Sequence, residues 1–157
     1  MKKQIIFLSM GLCYTFFSIA QPNHHELLKI YDEAYHGLHK KNIRLIESSF
    51  AASALQVIKD SLTEKGKKYP DSFFLAKNIL PSLSRYKYFK TISKGAIANM
   101  VYFIHQHKHQ AFSGIFIVRY TLENKKWKIF ETIKQEDAAL ASKINRKDYR
   151  FLNEMGL

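Results

Sequence analysis

The stretch AFSGIFIVRYTLENKKWKIFE, residues 111–131, decides how the rest of the chain is read. Phe112 to Leu122 is rich in β-branched and aromatic residues, and so is Trp127 to Lys134. Between them Glu123, Asn124, Lys125 and Lys126 supply turn chemistry, which predicts a β-hairpin. In Ile115 to Tyr120 apolar residues fall on both faces of the strand, the pattern of a central strand covered on both sides. Working towards the N-terminus, Ala96 to His107 is a long apolar strand, and Tyr86 to Ser93 is another, with Lys94 and Gly95 as the turn between them. Towards the C-terminus, Gln135 to Leu157 is charged and Ala-containing, and predicts one or two helices.

Before Pro81 the periodicity is helical. Leu27, Leu28, Tyr31, Ala34, Tyr35 and Leu38 recur at three and four between His25 and His39, the stripe of an amphipathic helix. Asn42 is placed to cap a second helix that starts at Ile43 and runs into Ala51 to Ala54. Residues 55–62 suit either a helix or a strand. Pro70 and Asp71 open a third helical piece that runs to Asn78, limited by Pro81. Helices first and strands after predict an α+β fold, with N-terminal helices packed on a curved, mostly antiparallel sheet.

The chain has 157 residues, 25 Lys+Arg against 13 Asp+Glu, and is 46% hydrophobic, which rules out a disordered protein and fits one domain. Met1 to Gln4 is basic, Ile5 to Ala20 is uncharged and apolar, and Ser18-Ile19-Ala20 is a small-x-small ending. Residues 1–20 read as a secretory signal peptide, leaving a single domain over 21–157 and an exported, periplasmic or secreted protein. The apolar run is short of the ~20 residues of a membrane span, and retention as an anchor is the alternative. Cleavage would remove Lys2, Lys3 and the single Cys13, taking the formal charge from +12 to +10 and leaving neither a disulfide nor a Cys-rich zinc site.

The segment YDEAYHGLHKKNIRLIESSFA, residues 31–51, resembles the opening helix pair of NTF2-like (cystatin-like, SnoaL-like) domains. Lys41 and Asn42 stand where that family has a Gly-Asp pair. The hairpin of residues 111–131 resembles the family's long final hairpin with its Trp-bearing strand. The resemblance implies a sheet wrapped by helices into a cone, a pocket inside, and a homodimer formed through the outer sheet face. In family members that isomerise or dehydrate substrates, a Tyr or His and an Asp act in the cone. The aligned positions fall near Ala34 and Ile58, so Tyr35 and Asp60 become the catalytic candidates only if a gap is allowed.

Three further groups of residues bear on function. The apolar faces of the first helix and the sheet offer Tyr31, Tyr35, Phe50, Tyr102, Phe116 and Trp127 as the lining of a pocket for a small apolar ligand. His105, His107 and His109 alternate, so an extended backbone would put three imidazoles on one face about 6.5 to 7 Å apart. With His36 and His39, or His24 and His25, they could complete a zinc or copper site. Lys108 among them favours an exposed hairpin end instead, and no cofactor is implied. Arg85, Lys87 and Lys90, and Lys125, Lys126 and Lys128, form a basic surface suited to an anionic envelope component or a protein partner. Their interleaved aromatics resemble a single-stranded nucleic acid binder, but the leader argues against that partner. No nucleophile motif or phosphate-cradling glycine loop is present in the sequence. The expectation is a noncatalytic binding or assembly module, with a pocket lyase or isomerase as the alternative and metal binding third.

Overall fold

The computed structural model describes residues 21–76, 79–106 and 111–157. Residues 1–20, His107 and His109 lie outside the described residues.

Helix α1 (His24–His39) starts where the Asn23 side chain accepts from the Glu26 N–H at 2.8 Å, and Glu26 in its first turn suits the helix dipole. Leu27, Tyr31, Ala34 and Leu38 form its buried stripe. Asn42 caps α2 (Ile43–Ser49), its Oδ1 accepting from the N–H groups of Arg44 and Leu45. The two helices close tightly at Gly37, where an added Cβ would lie 2.9 Å from the Leu45 Cβ. Residues 55–62 prove helical, within α3 (Ala52–Glu64). The third helical piece is shorter than expected: α4 is Asp71–Phe74, because the adjacent Phe73 and Phe74 are both buried at once, which docks the segment rather than extending a stripe.

Four strands follow a short 3-10 turn at Leu83–Arg85. They are β1 (Tyr86–Lys94), β2 (Ile97–His105), β3 (Phe112–Glu123) and β4 (Lys126–Glu136), antiparallel in the order β1-β2-β3-β4, with β1 and β4 as open edges. The β3–β4 loop is the two residues Asn124 and Lys125, both left-handed at φ 50° and 63°, as a type I′ hairpin turn requires. Register shifts leave Phe89, Ser113 and Phe130 as extra residues in their strands. At Gly114 a Cβ would meet the Gln135 carbonyl oxygen at 2.1 Å, so only glycine lets β3 and β4 approach there.

The sheet is apolar on both faces, as the hairpin sequence indicated. Its inner face, including Met100, Tyr102, Phe116, Val118, Tyr120 and Ile129, packs against α1 to α4. Two tyrosines close this core with polar tips: Tyr31 Oη donates to the Pro81 carbonyl at 2.6 Å and Tyr120 Oη to the Leu27 carbonyl at 3.0 Å. The outer face presents Val101, Phe103, Ile115 and Ile117 to Leu140 and Ile144 of α5 (Ala138–Asn145) and to Phe151 and Leu152 of α6 (Phe151–Glu154). Asn145 fixes α5 to the start of β3, accepting from the Phe112 N–H at 2.9 Å and donating to its carbonyl at 3.0 Å. The chain's own C-terminal segment therefore occupies much of the face through which the resemblance implied a homodimer. A shallow cleft of about 470 Å³ remains beside Ile97 and Asn99, with Leu157 at its rim. The architecture is an α+β fold with N-terminal helices preceding an open four-stranded antiparallel sheet.

Candidate functional site

The apolar cavity of most consequence lies at the β4 edge, where the start of α3 is pinned to the sheet. The Ala51 N–H donates to the Ile129 carbonyl at 2.8 Å, and the Ala52 N–H donates to Glu123 Oε2 at 3.1 Å, replacing a side-chain cap on α3. That anchorage turns Ala54 and Leu55 into the core and leaves Val57 68% exposed on the next turn. Opposite, the extra residue in β4 carries Phe130 out to 42% exposure. Phe50, Ala54, Val57, Ile58, Ile79 and Phe130 wall an open cleft of about 310 Å³, with Thr132 and Glu131 at its side. The two polar residues are engaged elsewhere. Thr132 Oγ1 donates to the Ile79 carbonyl at 3.2 Å, and Glu131 pairs with Arg119 at 3.0 Å, which also donates to the buried Asn99. Among the described residues, the walls of the cleft offer a ligand mainly dispersion and desolvation.

Of the residues the sequence suggested for a pocket, Tyr31, Tyr102 and Phe116 are buried and packed on one another, Tyr31 and Phe116 meeting edge to face at 6.3 Å. Burial, ahead of the neighbouring tyrosines, pushes the hydroxyls of Tyr31, Tyr102 and Tyr120 far above the ordinary tyrosine range, so they act as neutral donors. Phe50 backs the α3–β4 cleft, and Trp127 lies under a different one of about 360 Å³ beneath the hairpin. Tyr35 is half-buried, its ring 4.3 Å from that of His39. Asp60 is solvent-exposed on α3 and accepts from Gln56 Nε2 at 2.8 Å, so the desolvation that a general base needs is absent there.

His105 is exposed and rests on the Phe112 ring at 4.9 Å. Among the described residues no three His, Cys, Asp or Glu side chains are grouped as metal ligands. His24 lies against Tyr88 with ring centroids 3.8 Å apart, its Nε2 buried without a partner among the described residues. Burial first, and His25 second, hold it below the usual histidine range.

The six basic residues separate into two groups at opposite edges of the sheet. Arg85, Lys87 and Lys90 follow the β1 edge, with Lys87 5.8 Å from the Phe112 ring and Lys90 5.4 Å from Phe89. The aromatics beside them are already engaged, Phe89 stacking on Phe103 at 4.6 Å and meeting Tyr149 at 4.6 Å, which leaves no open platform for bases. Lys125, Lys126 and Lys128 line the hairpin cleft with Lys29, but Glu26 and Glu33 line it too, and the Lys128 ammonium is donated to the Ser48 carbonyl.

Sequence reasoning missed Val57, Ile58, Ile79 and Phe130. The one available signal was the alternation break at Ile129-Phe130-Glu131, where an aromatic falls on a polar position. Among the described residues no helix is long and apolar enough to cross a membrane. Comparison with protein-family models, curated proteins and solved structures gave no match to this chain.

Proposed function

We propose that this protein is an exported, noncatalytic binding module that holds a small apolar ligand in the cleft between α3 and β4. The observation that carries the reading is the exposure of Val57 and Phe130 across a cleft of ligand size, walled by Phe50, Ala54, Ile58 and Ile79. Leaving a valine and a phenylalanine in water forgoes on the order of 1 kcal/mol each, which a bound apolar molecule would recover. Behind it the hydroxyls of Tyr31 and Tyr120 are spent on backbone carbonyls, and that of Tyr102 on the Met100 sulfur. A lyase or isomerase needs an ionisable group inside the site. Glu131 is instead tied to Arg119, and Asp60 stands in solvent.

The same reading takes the fold as NTF2-like. Its support is the order of a helix pair, a bridge from Phe50 to Ile129 of β4, a third long helix, and a four-stranded meander.

Titration with a neutral apolar dye tests the site. One dye is expected per chain, and Val57→Asp or Phe130→Ser should weaken binding at least about tenfold with the urea midpoint little changed. Unaltered dye binding by both variants would remove the cleft as the site. Native mass spectrometry of protein recovered from its own envelope then identifies the resident molecule.

A further inference from the structure

We infer that the β1 edge is the face this protein turns to an anionic lipid surface, a function separate from the α3–β4 cleft. All 13 Asp and Glu residues lie among the described positions, and none falls between Asp71 and Glu123. Arg85, just before β1, and Lys87, Lys90 and Lys94 along it are exposed, and among the described residues none of them is in a salt bridge. The other cationic group differs in kind, since Glu26 and Glu33 share the hairpin cleft with its lysines. Charge on the molecule is therefore lopsided, with a one-sign edge at β1.

A few lysines on an edge strand serve to prevent pairing with another chain, and the extra residue at Phe89 serves the same end. That role does not require the run to extend from Arg85 to Lys94, or every member of it to be without an ion pair among the described residues. Position supplies the second argument. Residues 5–20 are an uncharged apolar segment preceded by Lys2 and Lys3, and only Gln21 to Asn23 separate that segment from His24. The His24 ring sits on Tyr88 of β1. At no more than about 3.5 Å per residue, the four steps from Ala20 to His24 span at most about 14 Å, and β1 lies one ring-to-ring contact beyond His24. Where residues 5–20 are kept as an anchor, the alternative to cleavage, the basic edge stays within about two Debye lengths of the headgroups; after cleavage the charge of the edge alone carries the attraction. Ile97, which pairs with Lys94 and is more than a third exposed, gives this end of the sheet an apolar contact for the interface.

Lysine footprinting tests the assignment on the protein as recovered from cells, with an amine-acylating reagent and vesicles of phosphatidylcholine with or without phosphatidylglycerol. On the anionic vesicles, acylation of Lys87, Lys90 and Lys94 should fall about fivefold or more, while Lys125 and Lys126 stay within about twofold of their values on neutral vesicles. Equal protection at both edges, or none at β1, overturns the inference. Protection of β1 in intact envelopes but not on vesicles would replace lipid by an acidic macromolecule, and overturns it as well. Lys87→Gln combined with Lys90→Gln should reduce the preference for anionic over neutral vesicles about 30-fold, and Lys125→Gln combined with Lys126→Gln should leave it nearly unchanged. Equal losses from the two pairs would show only general charge attraction. Dye binding in the cleft should be unaffected by either pair, so the two sites stand or fall separately.

Discussion

The two faces of the sheet are covered in different ways. On the inner face four helices from the first half of the chain pack against large side chains, and Tyr31 and Tyr120 reach carbonyls 50 and 93 residues away in sequence. On the outer face two short helices, Ala138–Asn145 and Phe151–Glu154, lay aliphatic and aromatic groups on Val101, Phe103, Ile115 and Ile117. The inner cover is held by contacts that specify both distance and direction, whereas the outer cover relies mainly on apolar contact with one polar clamp at Asn145. A hydrogen-bonded core tolerates few alternative arrangements, and an apolar seam tolerates more.

Truncating each face sharpens the contrast. Phe116→Ala should cost about 4 kcal/mol in urea unfolding, since it opens a cavity among Tyr31, Tyr86 and Tyr102. Ile144→Ala should cost about 2 to 3 kcal/mol, with hydrogen exchange accelerating first in α5 and α6 while β2 and β3 stay protected. Uniform acceleration along the chain would erase the distinction. Tyr120→Phe tests the directional contacts alone: it removes the second bond to the Leu27 carbonyl, which keeps its helical partner, and should cost about 0.5 to 1.5 kcal/mol without changing the packing.

Smaller effects sit at the margins. Lys147 follows α5 in a left-handed conformation at φ 59°, where glycine is more comfortable, so Lys147→Gly should stabilise by about 0.5 to 1 kcal/mol in the same unfolding assay. A loss instead would mean that the lysine charge outweighs its backbone cost. For His24 the folded state disfavours the proton. Stability is therefore full above the unfolded value of 6.5, falls as pH drops below it, and levels off beneath the lowered folded value. Thermal midpoints between pH 7.5 and 5 should show that decline, and His24→Gln should flatten it.

How far the sequence could be read depends on whether the signal was local. The hairpin at Asn124 and Lys125, the Asn42 cap and the stripe of α1 are local, and the structure agrees with each. Residues 55–62 were ambiguous because Leu55, Val57, Ile58 and Leu62 suit either period. Their helicity follows from the pinning of Ala51 and Ala52 by β4 and Glu123, which are distant in sequence. The α3–β4 cleft was not legible, because Phe130 is turned outward by a register shift set between two strands. Tyr31, Tyr102 and Phe116 lie buried on facing surfaces, yet whether facing side chains leave a void is decided by how they interdigitate. The basic residues showed their types but not their grouping, which needs the strand order that sends β1 and β4 to opposite edges.

The order in which the chain emerges gives the outer face a further consequence. Strand pairing can be completed once Glu136 is available, because each strand pairs with its neighbour in sequence. Its outer cover arrives only with residues 138–157. During synthesis there is an interval in which Val101, Phe103, Ile115 and Ile117 form a naked apolar surface on a paired sheet. A holding chaperone has its clearest target in that interval, and a chain interrupted after Glu136 is the form of this protein most prone to self-association.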